Sequence, residues 1–250
     1  MRAAVLSLVV CCAAFGPPPP PPHAAQRRGR VARPPRPRTV AQPPLTRHAG
    51  LLDMFGDDGP DTALGKGVTV AKVQVAVQCA DRGRGSVLGN LGTLGERDCD
   101  SARGLSSLVA EVSLEMLRRC DDWVGGASSV RTFKGGDAED QAESAYNRMV
   151  TSELAKFDKE YVSPPDVEDG GPTLAVVSVL VAIRGDKTAF EEINGSLSRC
   201  KTALETVAAD VVTDRGDLLI AAEVLWTPSD ATESLTKRDM LSDYPEILEL

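Results

Sequence analysis

Leu174-Ala-Val-Val-Ser-Val-Leu-Val-Ala-Ile183 is the longest apolar run after residue 52. Its ten residues suit a strand, whereas a helix that crosses a bilayer needs about 20 apolar residues. Apart from Ser178, the run is apolar at both even and odd positions, which predicts a strand that is covered on both faces. We therefore expect this strand to lie at the centre of a small sheet, and we expect no membrane span after residue 52.

The segments on either side predict two more strands and three or four helices. Val68–Gln78 alternates β-branched and polar residues, which predicts a strand with one wet face, and Asp217–Trp226 predicts a third strand. Helical spacing and capping residues predict helices at about 104–120 with Ser106 as the cap, from Asp137 to Tyr161, at about 196–209, and near Ser234–Ser242. Residues 82–100 carry five glycines and predict a mobile loop, and Gly125–Gly126 and Gly135–Gly136 predict a short break.

The order strand, helix, strand in the second half of the chain predicts the topology. A helix that joins two strands of one sheet gives a right-handed crossover by default, which makes the two strands parallel. We therefore expect the last two long strands to be parallel neighbours, with the earlier strand paired alongside. The expected fold class is α+β, with a three-stranded sheet packed against three or four helices.

The charge distribution divides the chain into a basic front part and an acidic remainder. Residues 1–52 hold eight arginines and no carboxylate, whereas residues 53–250 hold 20 basic and 36 acidic residues, a net charge of −16. We expect a linker over 53–67 and a single α+β domain over 68–250, because 198 residues are enough to bury one sizeable core.

The front part is typical of a targeting leader. Arg2 and the apolar run after it predict a signal peptide over residues 1–14. Residues 15–52, rich in Pro and Arg, predict a disordered, transit-like leader. A signal region cut before Phe15 and followed by such a stretch resembles the two-part plastid leaders of algae with complex plastids. Secretion with a disordered linker, or a cytosolic disordered tail, are the alternatives.

The composition argues against several classes of partner and chemistry. Nucleic acid binding relies on clustered Lys and Arg, which the acidic part lacks, and aromatics are only 4% of the chain. Both histidines, His23 and His48, lie in the leader, so the remainder lacks histidine for catalytic triads, zinc sites or acid–base work. The net charge of −16 also opposes direct adsorption to anionic lipid.

Four cysteines follow the leader: Cys79, Cys99, Cys120 and Cys200. They form no Cys-x-x-Cys pair, so no zinc site is predicted. One pair of them could form a regulatory disulfide, and small buried thiols are the alternative.

The remaining polar patterns predict no catalytic residue, metal or cofactor. Neighbouring carboxylates such as Asp121–Asp122 and Glu191–Glu192 are interpreted as solvated helix ends. The acidic loop at 166–169 does not have the spacing of an EF-hand, and the glycines at 83–95 do not match a phosphate-binding loop. Trp123 and Trp226 either anchor a partner or close the edge of the core.

The C-terminal region resembles a known family. Leu219-Ile-Ala-Ala-Glu-Val-Leu-Trp-Thr-Pro228, followed by Leu235 and by Leu241-Ser-Asp-Tyr-Pro245, is similar to the plastid and cyanobacterial family of the plant fluctuating-light acclimation proteins. The resemblance covers about residues 66–250. Members commonly carry a glycine-rich stretch and a membrane segment before the domain, and neither is found after this leader, so the resemblance favours peripheral attachment or a stromal pool here.

The resemblance implies a photosynthetic organelle and a role in adjusting photosynthesis or photoprotection to changing light, and it implies no reaction. The sequence thus leads to the hypothesis of a non-enzymatic plastid protein, thylakoid-associated or stromal, that binds a plastid protein partner. The alternatives are an enzyme that uses carboxylates or thiols on an unknown substrate, and a secreted acidic binding domain.

Overall fold

An antiparallel sheet with strand order β4-β3-β1-β2-β5 organises the chain in the computed structural model, which describes residues 61–97, 99, 101–158, 171–230 and 232–250. The strands are β1 (Val68–Cys79), β2 (Trp123–Phe133), β3 (Thr173–Arg184), β4 (Leu219–Thr227) and β5 (Leu248–Glu249). The helices are α1 (Val87–Gly95), α2 (Ala102–Arg118), α3 (Ala138–Leu154), α4 (Leu197–Asp210) and α5 (Lys237–Asp243). The predicted signal peptide and leader, most of the linker and the acidic loop at 166–169 lie outside the described residues.

Helices cover both faces of the sheet. Odd-numbered residues of β1 and β3, such as Val73 and Val177, belong to the same apolar cluster as residues of α1, α2 and α4. Even-numbered residues such as Leu180 face the opposite way and pack with α3 and, farther along the sheet, with α5. This alternation follows from the two-residue period of a strand, and it makes the fold a three-layer α+β arrangement.

The predicted class and most of the predicted elements are confirmed, but the sheet has five strands and not three. The run that begins at Leu174 forms β3, an interior strand between β4 and β1, and β1 is the middle strand of the sheet. Strand β2 was missed because Gly125–Gly126 and the polar residues that follow give it no apolar alternation. Its conformation is fixed by backbone pairing with β1 from Val77 to Val68, which the side chains of β2 do not reveal.

The expectation that β3 and β4 are parallel is wrong: they are antiparallel neighbours, with Ile183 opposite Leu219. The reason is the path of residues 185–196. This segment leaves the end of β3, runs back along the sheet, where the Ile193 amide donates to Ser128 Oγ (2.9 Å), and reaches β5 at Gly195. Helix α4 then makes the return passage, so β4 starts at the end where β3 stopped.

Residues 87–95 of the predicted loop at 82–100 form helix α1, and this correction also has a local cause. Ser86 caps the helix, since its Oγ accepts from the Gly89 amide (3.1 Å), and Val87, Leu91 and Leu94 form its buried side. The three glycines in α1 conceal this pattern. Helix α2 likewise begins earlier than expected, because its cap is Ser101 and not Ser106.

No helix among the described residues combines the length and the apolar character needed to cross a bilayer.

Candidate functional site

A groove of about 580 Å³ opens at the end of the sheet where β1 stops and where β2 and β3 begin. We call it the C-terminal groove, because α5 and the last residues of the chain form one of its walls. Its apolar lining comes from Trp123, Val124, Pro172, Leu174, Leu235, Met240 and Leu250, and its polar lining from Gln78, Thr173, Ser234, Thr236, Lys237 and Glu249.

Hydrogen bonds hold the two apolar walls in place. The Trp123 indole N–H donates to the Met116 carbonyl oxygen at 3.1 Å, which fixes the ring at the end of α2. Opposite it, Leu235 pairs with Leu174 through its carbonyl and donates its amide to Thr173 Oγ at 2.9 Å. The groove is therefore largely pre-formed, as binding sites usually are.

An ion pair lies on the rim of the groove. Lys237 Nζ bonds Glu249, and the two side chains are 65% and 66% exposed. The hydrogen bond and charge of Lys237 hold the pKa of the Glu249 carboxyl below its usual range. Since exposed pairs contribute little free energy, an incoming charged group can displace either partner at low cost.

Few ionisable side chains line the described part of the groove. Among the described lining residues, Glu249 has the one side-chain carboxylate and none is a cysteine. Across the described ranges, no cluster of three or more His, Cys, Asp or Glu side chains is arranged to hold a metal ion. The lining offers apolar contact and a charged rim, which suit the binding of a side chain or short peptide segment.

A buried ion network supports the wall made by the end of the chain. Glu153 of α3 accepts from Lys72 of β1 (2.5 Å), from Lys156 (2.9 Å) and from Gln74 (2.9 Å), and its side chain is 3% exposed. Lys72 and Lys156 also bond Glu246, at 3.3 and 2.5 Å. The network thus ties the sheet and α3 to the segment between α5 and β5.

The network holds two lysines and two glutamates, so its charges balance, and the two lysines affect the pKa of Glu246. Burial alone would raise the pKa of the Glu246 carboxyl, but the hydrogen bond from Lys156 and the charges of Lys156 and Lys72 outweigh it, so the pKa is lowered. The Lys156 ammonium also lies 4.5 Å from the centre of the Tyr244 ring, a cation–π contact.

Sequence reasoning missed this network and assigned Lys72 and Gln74 to a wet strand face. The available signal was the pair Glu153 and Lys156, spaced to share one side of a helix end.

The two tryptophans lie at opposite edges of the apolar core. Trp123 is 8% exposed and lines the C-terminal groove. Trp226, 9% exposed, lines a smaller cavity of about 230 Å³ together with glycines of α1 and Pro228. Each indole is packed in the core and lines a separate concave surface, so the structure does not bring the two together.

The four cysteines after the leader are reduced thiols with no disulfide among them. Burial raises the pKa of Cys79 to about 11, against the lowering effect of the Arg82 charge, and burial raises the pKa of Cys200 to about 12. Thiols with such pKa values are almost entirely protonated at neutral pH and react slowly. Cys99 is buried and Cys120 is half-buried, so a redox role for the four remains a prediction.

The chain is similar to known proteins. Protein FLAP1 homolog A of Synechocystis sp. is 29% identical over 220 residues, which are 80% of this chain and 62% of that protein. FLUCTUATING-LIGHT-ACCLIMATION protein 1, chloroplastic, of Arabidopsis thaliana is 27% identical over 159 residues, which are 59% of this chain and 38% of that protein. The chain thus spans less than two thirds of the length of either relative. No solved structure matches the chain.

The family model described as "Protein of unknown function (DUF1517)" matches residues 67–250, from the start of β1 to the last residue. The match includes the C-terminal segment on which the resemblance was based. The chain belongs to the DUF1517 family, that of the fluctuating-light acclimation proteins.

Proposed function

We propose that this chain is a non-enzymatic plastid protein that helps to adjust photosynthesis to changing light by binding a protein partner in the C-terminal groove. The observation that carries the proposal is the groove itself, a pre-formed concave surface with an apolar lining and a charged rim. The name of the Arabidopsis relative, a light-acclimation protein, supports the physiological part of the proposal.

The groove suits one apolar side chain of a partner, flanked by a charged residue. Trp123, Leu235 and Met240 provide an apolar pocket, and aromatic side chains at the edge of such pockets frequently dominate the binding energy. The exposed Lys237–Glu249 pair can exchange its internal contact for one with the partner. This exchange of ion-pair partners contributes more to the selection of a partner with the right charge than to the binding affinity.

The plastid location is supported by the predicted two-part leader and by the word "chloroplastic" in the name of the Arabidopsis relative. The net charge of −16 on residues 53–250 opposes binding to bare anionic lipid and favours a protein partner. We expect thylakoid association, where it occurs, to be peripheral and to depend on that partner.

Blocking the groove tests the proposal. Gln78 is exposed and lines the groove, so Gln78→Trp fills the opening without removing a core side chain. Gln141→Trp makes the same change on the exposed face of α3 and serves as the matched control. The full chain, with an affinity tag between residues 52 and 53, is captured from illuminated and dark-adapted plastids.

We expect the same plastid proteins to co-purify with the unmodified chain and with Gln141→Trp, and their recovery to fall about tenfold or more with Gln78→Trp. Equal recovery with both variants would show that partners bind elsewhere. If nothing is recovered above background in either light condition, a binding role is contradicted.

A further inference from the structure

Asn194 and Gly195 form a turn between the segment that follows β3 and helix α4. The Ser196 amide closes the turn by donating to the Ile193 carbonyl oxygen at 3.0 Å. Asn194 and Gly195 have positive φ values of 47° and 70°, the pattern of a type I′ turn, in which asparagine and glycine are favoured. Asn194 is exposed and Gly195 is half-buried, so water has access to the Asn194 side chain.

The Asn194 side chain and the Gly195 amide are placed to react with each other. Within the described ranges, no hydrogen bond holds either group in place. Glycine has no Cβ, so its nitrogen is the least shielded backbone nitrogen that can follow an asparagine. Because the two residues are adjacent, a ring between the Gly195 nitrogen and Asn194 Cγ closes by rotation about the bonds of Asn194.

We propose that Asn194 is a modification site, at which the asparagine is converted without an enzyme into aspartate and isoaspartate. The Gly195 nitrogen forms a bond to Asn194 Cγ while the Cγ–Nδ2 bond breaks, and ammonia leaves with the proton of the Gly195 amide. Water then opens the resulting succinimide. Hydrolysis at Cγ gives aspartate, whereas hydrolysis at the Asn194 backbone carbonyl gives isoaspartate, whose main chain runs through Cβ and Cγ and is one atom longer.

The other two asparagines of the chain lie in helices, Asn90 in α1 and Asn147 in α3. A helix keeps the following backbone amide in its own hydrogen bond, and the residues that follow here, Leu91 and Arg148, have large side chains. Asn90 Nδ2 also donates to Glu115 at 2.7 Å. Of the three asparagines, Asn194 combines a following glycine with a position outside a helix, so we expect the conversion there.

The turn is anchored on both sides, which gives the longer main chain of isoaspartate a structural effect. Ile193 is fully buried, and its amide donates to Ser128 Oγ at 2.9 Å, whereas Ser196 caps α4. Between these anchors Gly195 packs against β5, since a Cβ there would lie 3.3 Å from the Glu249 carbonyl oxygen. The extra main-chain atom therefore displaces the turn against β5.

Strand β5 is held by few backbone bonds. It pairs with Gly125 and Gly126, and the Leu250 amide donates to the Val124 carbonyl oxygen at 3.4 Å. Such a short strand opens at a low free energy, so isoaspartate at position 194 loosens it. Glu249 and Leu250 also line the C-terminal groove, so an effect on partner binding rests on the proposed function, whereas the modification and the loosening of β5 do not.

Ageing of the purified full chain tests the modification. The chain is incubated in a mildly alkaline buffer, and peptide mapping by mass spectrometry follows the mass change in which oxygen replaces NH. We expect conversion at Asn194 to be about tenfold or more faster than at Asn147, because the Arg148 amide must first leave its helical hydrogen bond. The matched control Asn147→Gln should leave the rate at Asn194 unchanged. Asn194→Gln should remove the fast conversion, because glutamine must close a larger ring. Equal rates at Asn194 and Asn147 overturn the proposal.

Hydrogen exchange tests the effect on β5. Exchange of residues 245–250 is measured in the aged chain, in the equally aged Asn194→Gln variant and in freshly prepared Asn194→Asp. We expect exchange in the modified fraction of the aged chain to be about tenfold or more faster than in Asn194→Gln. Asn194→Asp has the same added charge on a main chain of normal length and should exchange like the unmodified chain. The loosening of β5 is contradicted if exchange does not change in a chain that has converted at Asn194. It is also contradicted if Asn194→Asp exchanges as fast as the aged chain.

Discussion

Glu153 is a carboxylate inside the protein, and its partners come from both near and distant parts of the sequence. Lys72 precedes it by 81 residues and Lys156 follows it by three, and both cations have side chains less than one-fifth exposed. A buried charge without compensation is costly, so the value of Glu153 lies in balancing the two lysines together with Glu246.

Replacing Glu153 by Gln should destabilise the fold. The substitution keeps the shape of the side chain but leaves the network with one uncompensated positive charge, and we expect the free energy of unfolding to fall by about 2–4 kcal/mol. Glu111→Gln is the matched control, because its pair with Arg97 is exposed, and we expect a loss below about 1 kcal/mol. Urea unfolding followed by circular dichroism measures both values.

If the free energy of unfolding fell by similar amounts in the two variants, water would screen the charges of the Glu153 network as fully as those of the Arg97–Glu111 surface pair. The network would then have no special part in holding the segment between α5 and β5.

Helix α1 shows how an element can be formed against its intrinsic propensity. Glycine in a helix interior costs about 1 kcal/mol relative to alanine, and α1 contains three in nine residues. The structure explains why residue 89 is a glycine, since a Cβ there would lie 2.2 Å from the carbonyl oxygen of Gly83. At Gly92 the described chain gives no steric reason for glycine, because a Cβ there would meet no atom within 4 Å.

This difference predicts opposite effects for one substitution at two positions of the same helix. Gly92→Ala should raise the free energy of unfolding by about 0.5–1 kcal/mol, because alanine restricts the unfolded chain and fits the helix. Gly89→Ala should lower it, because the 83–84 turn must move. Thermal and urea unfolding of the two variants are compared with the unmodified chain. A loss of stability at Gly92 comparable to that at Gly89 would contradict the open space beside α1.

At the level of elements, sequence patterns predicted the strands and helices whose apolar side chains face the core. They missed the strand whose conformation depends on backbone pairing. The strand that begins at Leu174 and the helices α2 and α4 were predicted within a few residues, because their apolar periodicity indicates which side faces the core. Helix α3 begins where it was expected but ends at Leu154, before the expected end at Tyr161. Strand β2 has no such periodicity, because backbone hydrogen bonds to β1 fix its conformation. The direction of β4 depends on the path of residues 185–196, which no local pattern encodes.

The candidate site was predicted only in part, for the same reason. Trp123 was identified as a core or contact residue from its type alone, and it lines the groove. The opposite wall depends on Leu235 bonding to Leu174, a contact between segments 61 residues apart. Contacts over such distances in sequence arise from the fold, so the groove could not be found until the strands were placed.

At the scale of the whole molecule, the sequence divides into a basic front part and an acidic remainder. The family match begins at residue 67, and the eight arginines of residues 1–52 lie ahead of it. A stretch without carboxylates and rich in Pro is typical of a segment that forms no core of its own. Its composition is typical of a targeting leader, and recognition by transport machinery is a prediction that can be tested apart from the fold.

Residues 1–52 fused to a fluorescent reporter should direct it into the plastid of an alga with complex plastids. The apolar run after Arg2 is expected to start translocation, and the basic residues 15–52 to complete import. Two shorter fusions separate these steps: residues 1–14 alone should send the reporter into the secretory route, and residues 15–52 alone should leave it in the cytosol. Confocal imaging against chlorophyll fluorescence gives the location. A reporter that residues 1–52 send out of the cell would contradict plastid import and favour the secreted alternative, whereas binding in the C-terminal groove would still have to be tested by its own variants.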